Sequence, residues 1–214
     1  MHTALASRSR QGGVVPDSTE GVCAIVLAAG QGRRYREHRD EDKLLAASRD
    51  VSDAPPVLAE TLNALAGMTE RLLVVTRDDN PGLLAWLECH AGRFDAEILA
   101  VRTNGLGHSL AQAVAHRSAR RGWLVVLGDM PYVRRDSIAR IVTDIQPQRL
   151  VVPTYQGRRG HPRGIGADYL HRLLALEGDR GAQELFASAA VEEIELNDPG
   201  VLQDIDRPED RRHR

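Results

Sequence analysis

Two short stretches carry side chains able to handle a phosphate or a metal ion. The first is Leu27-Ala28-Ala29-Gly30-Gln31-Gly32-Arg33-Arg34, which follows an apolar run over 22–27. Small residues let a backbone approach a phosphate chain with its N–H groups turned toward the anion. Arginine adds a permanent charge on a fork of donors suited to phosphate. Lys43 arrives later, after the charged stretch Arg36-Glu37-His38-Arg39-Asp40-Glu41-Asp42. The second stretch is Leu127-Gly128-Asp129-Met130-Pro131, at the end of another apolar run. A carboxylate there has two readings: a ligand for a divalent cation, or a cap for the turn before Pro131. Magnesium takes one or two protein carboxylates and fills its shell with phosphate oxygens and water.

The glycine pattern excludes two common nucleotide fingerprints. Tyr35 stands where the dinucleotide-binding pattern needs its third glycine, and no Gly-Lys-Ser/Thr of the Walker type follows. What remains is a phosphate-binding loop or a plain glycine turn beside a solvated charge run.

The elements that must position these groups alternate in type. Strands are predicted at 22–27, 72–76, 96–101, 123–127, 150–152 and 191–196. Helices are predicted at 56–65, 81–90, 109–119, 134–145, 167–176 and 181–187. Strands separated by helices imply right-handed crossovers and a mostly parallel sheet, whose carboxyl edge is where ligands bind. Aromatics make up only 4% of the 214 residues, so the core must be aliphatic, as suits a sheet covered on both faces.

The formal net charge of −2 gives no basic field for nucleic acid, and no apolar run is long enough for a membrane. Residues 1–20 read as a flexible polar tail without the apolar stretch of a signal peptide, so a cytoplasmic location is expected. Arg211-Arg212-His213-Arg214 reads as a solvated tail. Cys23 and Cys89 are too few for a disulfide framework and both read as core residues. Residues 21–210 are expected to form one domain, with a loop-rich acceptor-binding region at about 153–190.

The first loop, with Lys43-Leu44-Leu45 downstream, resembles the signature of the nucleotidyltransferases related to the molybdenum cofactor transferases, the MobA-like NTP transferases. Further matches follow in the family's order. Gly105-Leu106-Gly107-His108-Ser109-Leu110 is similar to its second nucleotide-contact loop and Leu127-Gly128-Asp129 to its metal-binding turn. Gly160-His161-Pro162 and Gly178-Asp179-x-Gly181-Ala182 match two short motifs. Asp204-Ile205-Asp206-Arg207-Pro208-Glu209-Asp210 resembles the C-terminal motif.

The resemblance implies an α/β three-layer sandwich with a mostly parallel, Rossmann-like sheet of the nucleotide-diphospho-sugar transferase type. It also implies transfer of a nucleoside monophosphate from an NTP to a small phosphorylated acceptor. Asp129 would hold Mg2+ with a second carboxylate from Asp204 or Asp206. Asp206 also fits a helix-capping pattern with Glu209, so Asp204 is the first choice. Arg34 and Lys43 would clamp the phosphates beside Leu27, Ala28, Ala29, Gly30, Gly32 and Gly128. Gly105 and Gly107 would let the base approach, and Ser109, expected at a helix start, would bind the base, act as an N-cap, or both. Gly160, His161, Pro162 and Asp179 would face the acceptor.

Ala28-Ala29-Gly30 resembles the cytidylyltransferase branch, since guanylyltransferases usually carry Leu-Ala-Gly-Gly. CTP and a molybdopterin acceptor are therefore expected, with a molybdenum hydroxylase or its maturation chaperone as recipient. Tyr35-Arg36 and the late Lys43 depart from the family pattern. The alternatives are GTP as donor, a sugar phosphate or phospholactate as acceptor, or a non-catalytic nucleotide-binding protein.

Overall fold

Alternate residues of the runs at 22–27 and 122–127 are buried on opposite faces of one sheet, so each strand needs helices on both sides. In the computed structural model, which describes residues 21–51, 53–179 and 181–211, that is the arrangement. The expected tail at 1–20 and residues 212–214 of the basic terminus lie outside the described residues.

The chain runs β1 (Val22–Leu27), α1 (Arg33–Arg36), α2 (Val57–Leu65), β2 (Arg71–Arg77), α3 (Pro81–His90), β3 (Ala96–Val101), α4 (Leu106–His116), β4 (Gly122–Leu127) and α5 (Arg135–Asp144). It continues with β5 (Leu150–Tyr155), β6 (Arg158–Arg159), β7 (Arg163–Gly166), α6 (Leu170–Leu174), α7 (Gln183–Ser188) and β8 (Glu192–Glu195). The sheet order is β3-β2-β1-β4-β7-β5, with β6 and β8 also paired to β5. β1 lies in parallel register between β2 and β4, Leu27 opposite both Val75 and Leu127. Only β6 and β7 run antiparallel to their neighbours.

The period-2 alternation of the strands divides the core in two. Val22, Ala24 and Val26 pack with Leu124 and Val126 against α2, α3 and α5. Cys23, Ile25 and Leu27 pack with Trp123 and Val125 against α4, α6 and α7. The result is the expected α/β three-layer sandwich.

Four expectations need correction. The Gly/Arg-rich stretch after Tyr155 holds β6 and β7, because its backbone pairs with β5 and β4 although its composition reads as loop. Arg33–Arg36 forms a short helix, with Tyr35 fully buried in the core. Helix α4 starts at Leu106, so Ser109 lies in its second turn; its N-cap is Gly105, without a side-chain cap. Cys23 is buried, with burial pushing its thiol pKa up to about 12, but Cys89 is exposed.

One buried acid fixes the approach of the C-terminal region. Asp198 accepts the Arg134 N–H at 2.9 Å and the Ser137 hydroxyl at 2.7 Å, capping α5 from a distant segment, and also accepts the Gly200 N–H at 2.9 Å. Asp198→Ala strands these donors in the interior and is expected to cost roughly 2–4 kcal/mol of stability, read from urea unfolding.

Candidate active site

β1 and β4 end side by side at the point where the chain reverses its direction along the sheet, having run outward through β2 and β3. Crevices outside strand ends at such points bind ligands. Main-chain bonds keep both loops close to the sheet: Ala28 N–H donates to Val75 O at 2.8 Å and Gly128 N–H to Leu27 O at 3.0 Å. Thr61 Oγ1 donates to the Gly128 carbonyl at 3.1 Å from the α2 side. Gly32 turns the chain into α1 with φ 58°, a left-handed conformation that glycine adopts without Cβ strain.

The late position of Lys43 follows from the path of the charged stretch. Tyr35 is sunk into the core and its hydroxyl donates to Glu41 at 3.3 Å. Asp42 accepts from Asn80 Nδ2 at 2.7 Å and from its own Leu44 N–H at 2.9 Å. Residues 36–42 thus loop out and return, and Lys43 points back to the strand ends.

There it meets the acids. The Ile205 N–H donates to the Asp129 carbonyl at 2.9 Å and Ile205 is fully buried, so the carboxylates on either side of it arrive at the end of β4. One oxygen from each of Asp129, Asp204 and Asp206 lies within 4.8 Å of the others. Lys43 Nζ donates to Asp129 at 2.6 Å and to Asp206 at 3.3 Å, and Arg34 Nη1 donates to Asp206 at 2.6 Å. The capping role foreseen for Asp206 falls to Asp210, whose carboxylate accepts the Asp206 and Arg207 N–H groups at 3.0 and 2.7 Å. Asp206 is therefore turned to the cations, and both Asp204 and Asp206 join Asp129.

The electrostatics follow from this crowding. Burial pushes the Lys43 pKa down, but the Asp129 and Asp206 carboxylates outweigh it and hold it above the ordinary lysine value. Asp204 is raised by burial and by the charge of Asp129. Asp206 is lowered, since Lys43 and Arg34 outweigh its burial. Asp129 Oδ1 is buried with no hydrogen-bond partner among the described residues, a lone acceptor that suits a cation. An all-oxygen set of this kind fits a hard divalent ion.

A small cavity of about 50 Å³ is lined by Asp129 and Lys43, and two larger ones lie beside it. An open cleft of about 450 Å³ runs from Ala29, Gly30, Gly32, Arg34 and Lys43 to Thr103, Gly105, Ser109 and Asp179. It also borders Arg77 and Tyr35, which sequence reasoning did not assign to the site; a residue just past a strand run was the available signal for Arg77. A second, mainly apolar cavity of about 160 Å³ lies between Leu27, Leu127, Leu106, His161, Arg163 and Phe186. Gly160 and His161 form the interruption between β6 and β7, their N–H groups donating to Pro153 O at 2.8 Å and Val201 O at 2.9 Å. The His161-Pro162 peptide is cis. Asp179 lines the open cleft and His161 the apolar cavity, and the Arg163 guanidinium sits 4.9 Å from the Phe186 ring centre.

A family model, the MobA-like NTP transferase domain, matches residues 24–194. The chain belongs to the MobA-like NTP transferases. Purine catabolism protein PucB of Bacillus subtilis (strain 168) is 26% identical over 200 residues, covering 88% of this chain and 93% of its own length. The crystal structure of Rv0371c from Mycobacterium tuberculosis H37Rv in complex with manganese superposes with a TM-score of 0.69 at 25% identity, over 89% of this chain and 95% of that one. A 4-diphosphocytidyl-2C-methyl-D-erythritol synthase from Anaerococcus prevotii shares the fold with a TM-score of 0.67 at 14% identity, over 90% and 93% of the two chains. The fold is thus of the nucleotide-diphospho-sugar transferase type, and the family activity is nucleotidyl transfer. Among the described residues no helix is long and apolar enough to cross a membrane.

Two measurements test the site's electrostatics. Lys43 Nζ stands between the carboxylates that would ligate a cation, so Lys43→Met is expected to tighten Mn2+ binding to the nucleotide-free protein, whereas Asp129→Asn weakens it; the spin-resonance signal of free Mn2+ reads both. Burial, with the Arg163 charge adding, lowers the His161 pKa from 6.5 to about 3. The unfolded chain takes up that proton near 6.5 while the folded chain refuses it until about 3, so stability is lost as pH falls through this window. His161→Leu should flatten the fall, as read from urea midpoints at successive pH values.

Proposed function

We propose that this chain transfers CMP from CTP to molybdopterin, with release of pyrophosphate and with Mg2+ as the metal. The observation that carries the reading is the cluster of Asp129, Asp204 and Asp206 at the strand ends, with Asp206 and Lys43 on the wall of the open cleft and Leu27 and Leu127 on the wall of the small apolar cavity. Two substrates that must meet end to end need two such subsites. The Ala28-Ala29-Gly30 loop supports CTP over GTP, and the apolar walls around His161, with Arg163 at their rim, suit a flat heterocycle carrying a phosphate. On this reading the acceptor would occupy the 153–190 region of a domain spanning 21–210.

In the proposed reaction an oxygen of the acceptor's phosphate attacks the α-phosphorus of CTP. The bond from that phosphorus to the β-phosphate oxygen breaks, and pyrophosphate leaves with the electron pair. Asp129, Asp204 and Asp206 would hold the cation, whose bound form neutralises the triphosphate and draws electron density from the α-phosphorus. Backbone N–H groups of the Gly30–Gly32 turn orient the phosphates. Arg34 and Lys43, at the edge of the acidic cluster, would offset charge on the triphosphate and on the departing pyrophosphate. No proton transfer from a side chain is needed, because phosphate and pyrophosphate are already anionic. Bringing two polyanions into line is the work of the site.

The relative named for purine catabolism supports a purine-oxidising molybdenum hydroxylase, or its maturation chaperone, as recipient of the product in the cytoplasm. A sugar phosphate or phospholactate as acceptor is the competing reading.

Pyrophosphate release from a panel of NTPs and acceptors tests the proposal. CTP with molybdopterin should give the highest kcat/KM and require Mg2+. Asp129→Ala should lower it roughly 100-fold or more. Near wild-type turnover by that variant removes the metal role from Asp129, and a sugar phosphate outrunning molybdopterin replaces the acceptor.

A further inference from the structure

The order of the strands sets the direction of the nucleotide. The ends of β3, β2, β1 and β4 follow one another along the sheet edge. Neighbouring strands lie about 4.8 Å apart, so the span from the end of β3 to Asp129 after β4 is roughly 14 Å. That length suits a nucleotide extended from its base to its α-phosphate. The cations Arg34 and Lys43 and the three acids stand at the β1 and β4 end. The base end is therefore the wall beyond β3, made by Thr103, Gly105 and Ser109.

At that wall the hydroxyls are turned inward. Ser109 Oγ is within 2.9 Å of Thr103 Oγ1 and 3.0 Å of the Gly105 carbonyl, and Thr103 Oγ1 donates to the same carbonyl at 2.7 Å. Their protons are committed inside the loop. Asp179 is different: it is exposed, lines the cleft, and no hydrogen bond or ion pair engages its side chain among the described residues. It is held there by its backbone, since Gly107 N–H donates to the Gly178 carbonyl at 2.8 Å. The contact is so close that a Cβ on Gly105 would stand 2.4 Å from Asp179 Oδ1. Glycine at 105 is what lets this carboxylate reach the wall.

We propose that Asp179 reads the exocyclic amino group of the base and so selects cytosine over uracil. A carboxylate only accepts hydrogen bonds. The N4 amino group of cytosine supplies a donor at the position where uracil carries the O4 carbonyl, which would face the carboxylate as a second acceptor. A site built to pair with a polar group rejects the analogue that leaves it unpaired. The sequence expectation had set Asp179 beside the acceptor; its place in the cleft moves it to the nucleotide side. This inference rests on the reading of the cleft as an NTP site.

The test is calorimetric binding of CTP and UTP, each with Mg2+, to the wild-type protein, Asp179→Asn and Asp179→Ala, with thermal unfolding of all three. Wild type should prefer CTP. Asp179→Asn, whose amide can donate to O4, should weaken CTP roughly 10- to 100-fold while leaving UTP equal or tighter. Asp179→Ala should lose the preference without gaining for UTP. If both variants keep the wild-type ratio of CTP to UTP affinity, or weaken the two nucleotides equally, Asp179 does not read the base and this inference is overturned. If the wild-type protein binds neither nucleotide, it is the NTP site itself that fails.

Discussion

Three carboxylates with oxygens within 4.8 Å of one another repel, and everything around the end of β4 is arranged to hold them there. Two unit charges 4 Å apart interact by about 4 kcal/mol at an effective dielectric constant of 20. Cations must answer that repulsion. Lys43, 13% exposed at its side chain, bridges Asp129 and Asp206, and the exposed Arg34 closes on Asp206 from the solvent side. Under the proposed function the same two cations would receive the triphosphate. On that reading the pairing of these charges would change when a metal and a polyanion enter.

The fold supplies the rigidity that this crowding requires. Asp129 follows a strand paired on both sides, in register with β1 and β7. Ile205 is locked by burial and by its bond to the Asp129 carbonyl, so Asp204 and Asp206 cannot drift apart from it. Lys43 is steered by the buried ring of Tyr35 and by the Asn80 contact to Asp42. The long charged segment that departs from the family pattern still delivers Lys43 to Asp129, because its excess length loops outward while both of its ends are pinned.

The elements with a plain hydrophobic period were legible in the sequence. Strands at 22–27 and 123–127 and helices at 56–65 and 81–90 appear within a residue of their expected bounds, since each buries a full face. The misses share a cause. β6 and β7 are polar or glycine-rich and exist because β5, and for β7 also β4, offers them backbone partners. Arg33–Arg36 is too short for periodicity, and only the burial of Tyr35 makes it a helix. Ser109 looked like a helix start because two glycines precede it, yet the hydrogen-bonded turn begins at Leu106, where Gly178 receives the Gly107 N–H.

By itself the sequence determined the residue types of the site: a glycine loop after a strand, arginine and lysine beyond it, an aspartate at a strand end and an acidic pair near the C-terminus. Local chemistry is written in such types and spacings. Only the tertiary structure decided their company. It set Lys43 between Asp129 and Asp206, gave the capping role to Asp210 and left Asp206 facing the cations, and put Asp179 on the wall of the open cleft. Those outcomes depend on contacts between segments up to 172 positions apart, as for Arg34 and Asp206. Such contacts are set by packing and backbone pairing, which no local spacing records.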